Sequence, residues 1–145
     1  MIDRANPQDE EAIKELLAAC DLPYQDLTAT QIEYFLVLRN EGFLVGCAGL
    51  EIYGDAALLR SVALRHSFRN KGLGARLVSE VERAAYGRHV RTLYLLTTTA
   101  KGFFSRHGYE TVDRSSAPEA IQNSQEFQSL CPSTAVCMLK RISFT

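Results

Sequence analysis

The chain has 145 residues, 46% of them hydrophobic, which favours one domain over residues 1–145 with a single core and argues against disorder. The 16 Lys and Arg residues and the 17 Asp and Glu residues give a net charge of −1, whereas a nucleic-acid-binding protein needs a clear basic excess. No apolar run has the length of a membrane span and the start has no secretion signal, so we expect a cytoplasmic protein without membrane contact. The four cysteines form no C-x-x-C pair, so we expect buried free thiols and no metal site.

The first half of the chain is predicted to hold one helix and three strands. Asn6 suits the position that caps a helix and Pro7 suits its first turn, and Asp21-Leu22-Pro23 ends the apolar pattern that follows. Residues 24–32 fit either a short second helix or a loop. Three strand-like runs with short turns between them predict an antiparallel meander over residues 34–39, 43–53 and 56–64.

The second half is predicted to alternate helices and strands. A helix begins near Gly72 or Gly74, carries its apolar residues on one face and stops at Gly87. The nearly continuous apolar run that follows is typical of a strand covered on both faces. The predicted elements are a strand over 92–98, a helix over 101–107, a strand over 109–113, a loop with a short helix over 115–133 and a strand over 135–142. A meander that leads into a strand–helix–strand crossover indicates a mixed α/β sheet.

The most informative segment is the turn between the third strand and this helix, S-V-A-L-R-H-S-F-R-N-K-G-L-G over residues 61–74. Gly72 and Gly74 allow a tight turn and a close approach to a ligand. The first N–H groups of a helix have no partner within it and can bind one anion together, with Arg69 and Lys71 nearby. The segment lacks the P-loop pattern and the third glycine of a dinucleotide-binding turn. It predicts a pyrophosphate-binding turn, with a purely structural turn as the alternative.

Three blocks of this sequence resemble the GNAT acetyltransferases. Their [RQ]-x-x-G-x-[GA] motif, which binds the pyrophosphate of acetyl-CoA, is matched by R-N-K-G-L-G at 69–74. The strand that pairs with the pantetheine arm in that family resembles S-V-A-L at 61–64. A second block of the family resembles G-F-F-S-R-H-G-Y at 102–109. The resemblance implies an α/β fold of order β-α-α-β-β-β-α-β-α-β-β, with a central, largely antiparallel twisted sheet flanked by helices. It assigns the binding of acetyl-CoA to Ser61, Val62, Ala63, Leu64, Arg69, Asn70, Lys71, Gly72, Leu73, Gly74, Ala75, Phe103 and Phe104.

A closer resemblance concerns the second half of the chain. L-Y-L-L-T-T-T-A-K-G-F-F-S-R-H-G-Y at 93–109 is similar to the acetyltransferase domain of glutamate N-acetyltransferases. The stretch 93–120, with S-L-C-P-S-T-A-V-C-M at 129–138, resembles small GNAT proteins associated with arsenic resistance. This resemblance implies an N-acetyltransferase whose acceptor is the amine of a small amino acid or a toxic amino-acid analogue, which attacks the thioester directly.

The catalytic groups are less well defined by the sequence. Glu51, in the apolar context G-L-E-I-Y, is the candidate base acting through water, and an outward-facing strand glutamate is the alternative. Many GNAT members carry a tyrosine that protonates the leaving thiolate where this chain has Phe104, which has no proton to donate. The loss is tolerable because a thiol with a pKa of about 8.5 leaves readily as thiolate.

The substrate residues follow from the chemistry of a carboxylate-bearing acceptor. Arg60 and Arg106 are candidates because a guanidinium group binds a carboxylate through two N–H groups, and Thr97 ends the strand beside the expected cofactor entrance. A solvated arginine and a hydroxyl bound to backbone are the respective alternatives. We expect a small-molecule amine as partner and no nucleic acid, and leave a homodimer open. The alternative functions are a non-catalytic acyl-CoA-binding module and a peptide or protein N-acetyltransferase.

Overall fold

The computed structural model describes residues 2–144, and within them seven strands form one mixed sheet. The strands are β1 (Ile2–Arg4), β2 (Phe35–Asn40), β3 (Phe43–Tyr53), β4 (Ala56–Leu64), β5 (Thr92–Thr97), β6 (Glu110–Val112) and β7 (Val136–Arg141). Their order across the sheet is β1-β2-β3-β4-β5-β7-β6, and every neighbouring pair is antiparallel except β4 and β5. The predicted mixed sheet and the predicted order of elements are confirmed.

Helices cover both faces of this sheet. They are α1 (Glu10–Ala19), α2 (Ala29–Ile32), α3 (Leu73–Gly87), α4 (Lys101–Arg106) and α5 (Glu119–Gln122), with a π turn at Glu126–Leu130. The apolar face of α3, which includes Leu77 and Val81, packs on one side of the sheet. Ile13 and Leu16 of α1 pack on the other side, against β2 and β3. No helix within residues 2–144 combines the length and the apolar character needed to cross a membrane.

Local chemistry explains where the first elements begin. The Asn6 side chain accepts a hydrogen bond from the Gln8 N–H group at 3.1 Å, and the Asp9 carboxylate accepts one from the Asn6 N–H group at 2.9 Å. This reciprocal cap places a 3-10 turn, Pro7–Asp9, before α1, so the α-helix itself starts three residues later than predicted. A similar cap at Thr28 settles the ambiguous segment as the short helix α2.

A bulge in β4 is the feature that opens the sheet. Two residues of β4, Ser61 and Val62, stand opposite Ala48 of β3, and Ser61 has a φ of 60°. Side-chain-bearing residues rarely adopt this left-handed conformation, which increases the local bend of a strand. Strand β4 pairs with β5 only over residues 56–58, and the remaining lengths of the two strands diverge.

The segment between β6 and β7 is more structured than the predicted loop with one short helix. A 3-10 turn at Arg114–Ser116, α5 and the π turn follow one another, and their apolar residues pack against β4 and β7. Two of the four cysteines also differ from the prediction: Cys47 and Cys137 are buried, whereas Cys20 and Cys131 are half-buried. Cys20 and Cys131 line the opening between β4 and β5.

Candidate functional site

A cleft of about 340 Å³ lies where β4 and β5 diverge. Residues 59–64 of β4 form one wall, and residues 95–97 of β5 with Phe103 and Phe104 of α4 form the other. Pro23, from the segment after α1, and Cys131, which follows the π turn, also line it. The cleft is therefore bounded by backbone from two strands and by three separate loop or helix segments.

The backbone edge of β4 faces this cleft beyond the bulge. The Arg65 N–H group donates to the Val45 carbonyl at 2.8 Å, so Arg65 is bonded toward β3. Successive backbone groups of a strand point to opposite sides. The N–H and C=O groups of Leu64 and Val62 therefore point away from β3, into the cleft, where β5 has withdrawn.

The turn into α3 closes one end of the cleft and presents free donors. Gly72 has a φ of 77° and directly precedes the helix. The Arg76 N–H group makes the first bond of the helix, to the Gly72 carbonyl at 3.2 Å. No acceptor within residues 2–144 bonds the N–H groups of Leu73, Gly74 and Ala75. Three donors at a helix start, with the positive end of its dipole, form a favourable place for an anion.

Glycine at position 74 and arginine at position 69 shape this end of the cleft. A Cβ atom at Gly74 would fill the space between Leu64 and Phe103, at 3.6 Å from an atom of each side chain. The Arg69 Nε group donates to the Leu64 carbonyl at 3.1 Å, which holds its guanidinium beside the cleft. Lys71 is exposed and lies over the Phe68 ring at 5.9 Å. The turn is thus open to solvent and positively charged.

A buried ion cluster occupies the region around Arg60, which also lines the cleft. Its guanidinium donates to both oxygens of Asp26, at 2.6 and 2.9 Å, and to Glu51 at 2.7 Å. Glu126 of the π turn lies 3.3 Å from its Nε atom. Burial lowers the pKa of Arg60, but the bonds to these carboxylates raise it further, so the net shift is upward.

The predicted cofactor residues are brought together. Residues 61–64, Arg69, Gly74, Phe103 and Phe104 line the cleft, and residues 70–73 with Ala75 complete the turn at its end.

The structure does not bring the predicted catalytic and substrate residues together in the cleft as it does the predicted cofactor residues. Glu51 does not line the cleft, and its two oxygens accept hydrogen bonds from Arg60 and from the Tyr53 hydroxyl. The guanidinium of Arg60 is occupied by the protein's own carboxylates, so it has no free fork for a substrate. Arg106 is exposed on α4 and does not line the cleft, while the Thr97 hydroxyl, at the cleft, accepts from the Ala100 N–H group at 3.0 Å.

Asp26 and Glu126 were not singled out by sequence reasoning. Both are polar residues in segments without periodicity, far from Arg60 along the chain. The only local sign was that Arg60 lies inside an apolar strand run, where a buried cation requires carboxylate partners.

Comparison with known proteins gives a consistent result. The model of the Acetyltransferase (GNAT) domain matches residues 31–111, more than half of the chain. An uncharacterized N-acetyltransferase from Chlorobaculum tepidum is 34% identical over 91 residues, which cover 62% of this chain and 58% of that protein. An amino-acid acetyltransferase from Pseudomonas aeruginosa is 28% identical over 106 residues, 72% of this chain and 24% of the relative. The chain thus matches little more than half of the first relative and about a quarter of the second.

Solved structures share the fold over almost all of the chain. N-acetylglutamate synthase from Neisseria gonorrhoeae, complexed with coenzyme A and N-acetyl-glutamate, has a TM-score of 0.87 at 21% identity and covers 99% of this chain and 35% of its own. Rv2747 from Mycobacterium tuberculosis, in complex with CoA and NLQ, has a TM-score of 0.84 at 22% identity, with 99% of each chain covered. At these identities the likeness concerns the fold alone.

Proposed function

The chain belongs to the GNAT acetyltransferase family, and we propose that it transfers the acetyl group of acetyl-CoA to the amine of a small amino acid or a toxic amino-acid analogue. One observation carries the proposal. At one end of the cleft, three N–H groups at the start of α3 find no acceptor within residues 2–144, and the cleft wall beside them is an unpaired strand edge. A ligand with a diphosphate followed by an amide-containing chain, such as coenzyme A, fits both features.

The residues that would hold coenzyme A follow from this arrangement. The N–H groups of residues 73–75 would bind the diphosphate, with Arg69 and Lys71 adding positive charge. The backbone groups of Val62 and the N–H group of Leu64 would bond the amides of the pantetheine arm, whereas the Leu64 carbonyl is already bonded to Arg69. Each hydrogen bond to a charged group contributes on the order of 1.5–3 kcal/mol, so the turn would supply much of the affinity.

The reaction requires a neutral amine. The α-amino group of a free amino acid has a pKa above that of a peptide N-terminus, because its own carboxylate stabilises the ammonium form. Deprotonating it at pH 7 therefore costs more than the roughly 1.4 kcal/mol of a peptide N-terminus and less than the roughly 4.6 kcal/mol of a lysine side chain. Deprotonation of the acceptor amine therefore needs less help from the protein when the acceptor is a small amino acid than when it is a lysine side chain. Phe104 lines the cleft where many family members carry a tyrosine, and the thiolate then leaves without a proton from that position.

The acceptor class rests on similarity and on the shape of the site. The matching Pseudomonas proteins are amino-acid acetyltransferases. The sequence over 93–120 and 129–138 resembles small GNAT proteins associated with arsenic resistance. Segments around Pro23 and Cys131 border the cleft, which suits a small acceptor better than a peptide. A single domain over residues 1–145, a cytoplasmic location and a homodimer stay predictions.

A non-catalytic acyl-CoA-binding module is the second candidate. It is favoured by Phe104, which cannot donate a proton, and by Glu51, whose oxygens are both engaged. Calorimetric titration with acetyl-CoA tests what the two candidates share, and no binding at millimolar concentration would remove both. Thiol release over a panel of amino acids then separates them, because an acetyltransferase releases CoA with at least one amine and a binding module releases none above background.

A further inference from the structure

The three carboxylates around Arg60 are held with unequal strength. Asp26 accepts two short hydrogen bonds from the guanidinium. Glu51 accepts one from Arg60 and one from Tyr53, so each of its oxygens has a donor. Glu126 makes the longest contact, 3.3 Å to Nε. Of the three, Glu126 is therefore the carboxylate that Arg60 holds least firmly.

Glu126 is also the member of this trio that lines the cleft, whereas Asp26 and Glu51 do not. Its side chain is only 5% exposed, so it is shielded from bulk water while it borders the open space. It lies beside Arg60, four residues before Leu64 along β4, whereas Leu64 lies beside Gly74 at the α3 turn. A carboxylate thus stands at the end of the cleft opposite the anion-binding donors.

The groups that face Glu126 come from four segments. They are Arg60 of β4, Glu51 of β3, Asp26 of the segment between α1 and α2, and Cys131, whose backbone N–H group donates to the Glu126 carbonyl at 3.1 Å. Burial raises the pKa of Glu126 to about 7, with Arg60 opposing the rise and the two other carboxylates adding to it. A carboxyl group that exchanges its proton near neutral pH is well matched to acid–base work there.

We propose that the Glu126 carboxylate accepts a proton from the ammonium group of the acceptor, and that Arg60 is a positioning residue that holds this carboxylate at the cleft. This inference rests on the proposed acetyl transfer. The proton passes from nitrogen to Glu126 and then to solvent. The nitrogen lone pair forms the C–N bond to the acetyl carbon as the C–S bond breaks, and the second proton that nitrogen loses goes to the departing thiolate.

The test compares Glu126→Gln and Glu126→Asp with the wild-type protein, using acetyl-CoA and L-glutamate, or the amine of the panel that supports the fastest thiol release. In the wild-type protein we expect kcat/KM to rise through an ionisation near pH 7 and to fall at higher pH as the amine loses its proton in solution, because the reactive pair is the Glu126 carboxylate and the ammonium group. Glu126→Gln should lower kcat/KM at least about 100-fold and lose the rise near pH 7. Glu126→Asp keeps a carboxylate and should retain that rise at reduced rate.

Glu82→Gln is the matched control. Glu82 is a buried glutamate that accepts from the Tyr109 hydroxyl at 2.8 Å and pairs with Lys140 at 2.9 Å, and it does not line the cleft. Its variant should keep both ionisations in the profile. A merely structural role for Glu126 would change the rate in the same way as Glu82→Gln, without moving the pH dependence.

A second readout needs no turnover. In the protein without acetyl-CoA, the ¹³C carboxyl resonance that is missing from Glu126→Gln should titrate near pH 7, and a midpoint near 4.5 would overturn the inference. A rise near pH 7 that survives in Glu126→Gln would also overturn it while leaving the acetyltransferase function intact. If the wild-type protein binds acetyl-CoA but transfers to no amine in the panel, the proposed function fails and the inference fails with it.

Discussion

The charge balance of the candidate site depends on a single residue. The side chain of Arg60 is completely enclosed, and three carboxylates lie within 3.3 Å of its nitrogen atoms. The net upward shift of its pKa keeps it charged throughout the accessible pH range. In a poorly hydrated interior, the charge of Arg60 offsets the desolvation cost of burying the carboxylates.

We therefore predict that Arg60→Met destabilises the protein by about 3–5 kcal/mol, because it leaves buried carboxylates without a counter-charge. The free energy of unfolding in urea at pH 7 measures the effect. Lys14→Met is the control: Lys14 pairs with Glu10 at 2.8 Å on the surface of α1, where such a pair contributes less than about 1 kcal/mol. Equal losses in the two variants would contradict the prediction.

Local context was a good guide to which residues are special and a poor guide to what they do. Arg60 and Glu51 stand out in the sequence because they are charged residues inside apolar runs. Their mutual bond follows from strand pairing, but the contact with Asp26 spans 34 positions and depends on how a loop folds back. Periodicity carries no information on such contacts, so the sequence predicts Arg60 as a substrate ligand, whereas the structure pairs it with the protein's own carboxylates.

The start of α3 is the element on which cofactor binding depends. Its donors are aimed by the turn before it, and Gly72 gives that turn its shape through a positive φ. Among residues 2–144, no atom beyond the immediate chain neighbours lies within 4 Å of the place where a Cβ of residue 72 would be, so the constraint at this position is conformational rather than steric.

Gly72→Val should weaken acetyl-CoA binding at least about 10-fold, because a β-branched residue is strained in this conformation and the turn will rearrange. Gly54→Val is a matched control, since Gly54 has a φ of 70° and equally open surroundings in the β3–β4 turn, away from the cleft. We expect both variants to lose stability and only Gly72→Val to lose affinity in calorimetry. Unchanged affinity in Gly72→Val would refute the assignment of the turn.

Element boundaries were predictable where turn residues flank a clear pattern. Strands β3 and β4 begin and end at the predicted residues, because Gly54-Asp55 and Asn40-Glu41-Gly42 separate the apolar runs. The bulge at Ser61 was not predictable, since no glycine or proline marks it. The segment over 115–133 has no regular spacing, and its turns are defined by the apolar contacts of Ile121 and Phe127 with the sheet.

At the scale of the whole molecule, ligand binding should be visible as stability. A ligand at 100 times its Kd stabilises a folded protein by about 2.7 kcal/mol, which in a chain of this size raises the Tm by roughly 5–10 °C. We expect this rise with acetyl-CoA in differential scanning calorimetry. S-acetylpantetheine at the same concentration lacks the diphosphate and should produce a much smaller rise, whereas equal rises would show that the turn contributes nothing.

The bulge in β4 has a consequence for how the protein tolerates change in length. With one residue fewer between Arg60 and Ala63, β4 would run straight. Its backbone would then continue to hydrogen-bond with β5 beyond residue 58, as far as the end of the strand. Such a deletion would leave the hydrophobic interior nearly intact and abolish the opening altogether. The single extra residue in β4 therefore decides whether this sheet has a ligand-binding cleft at all.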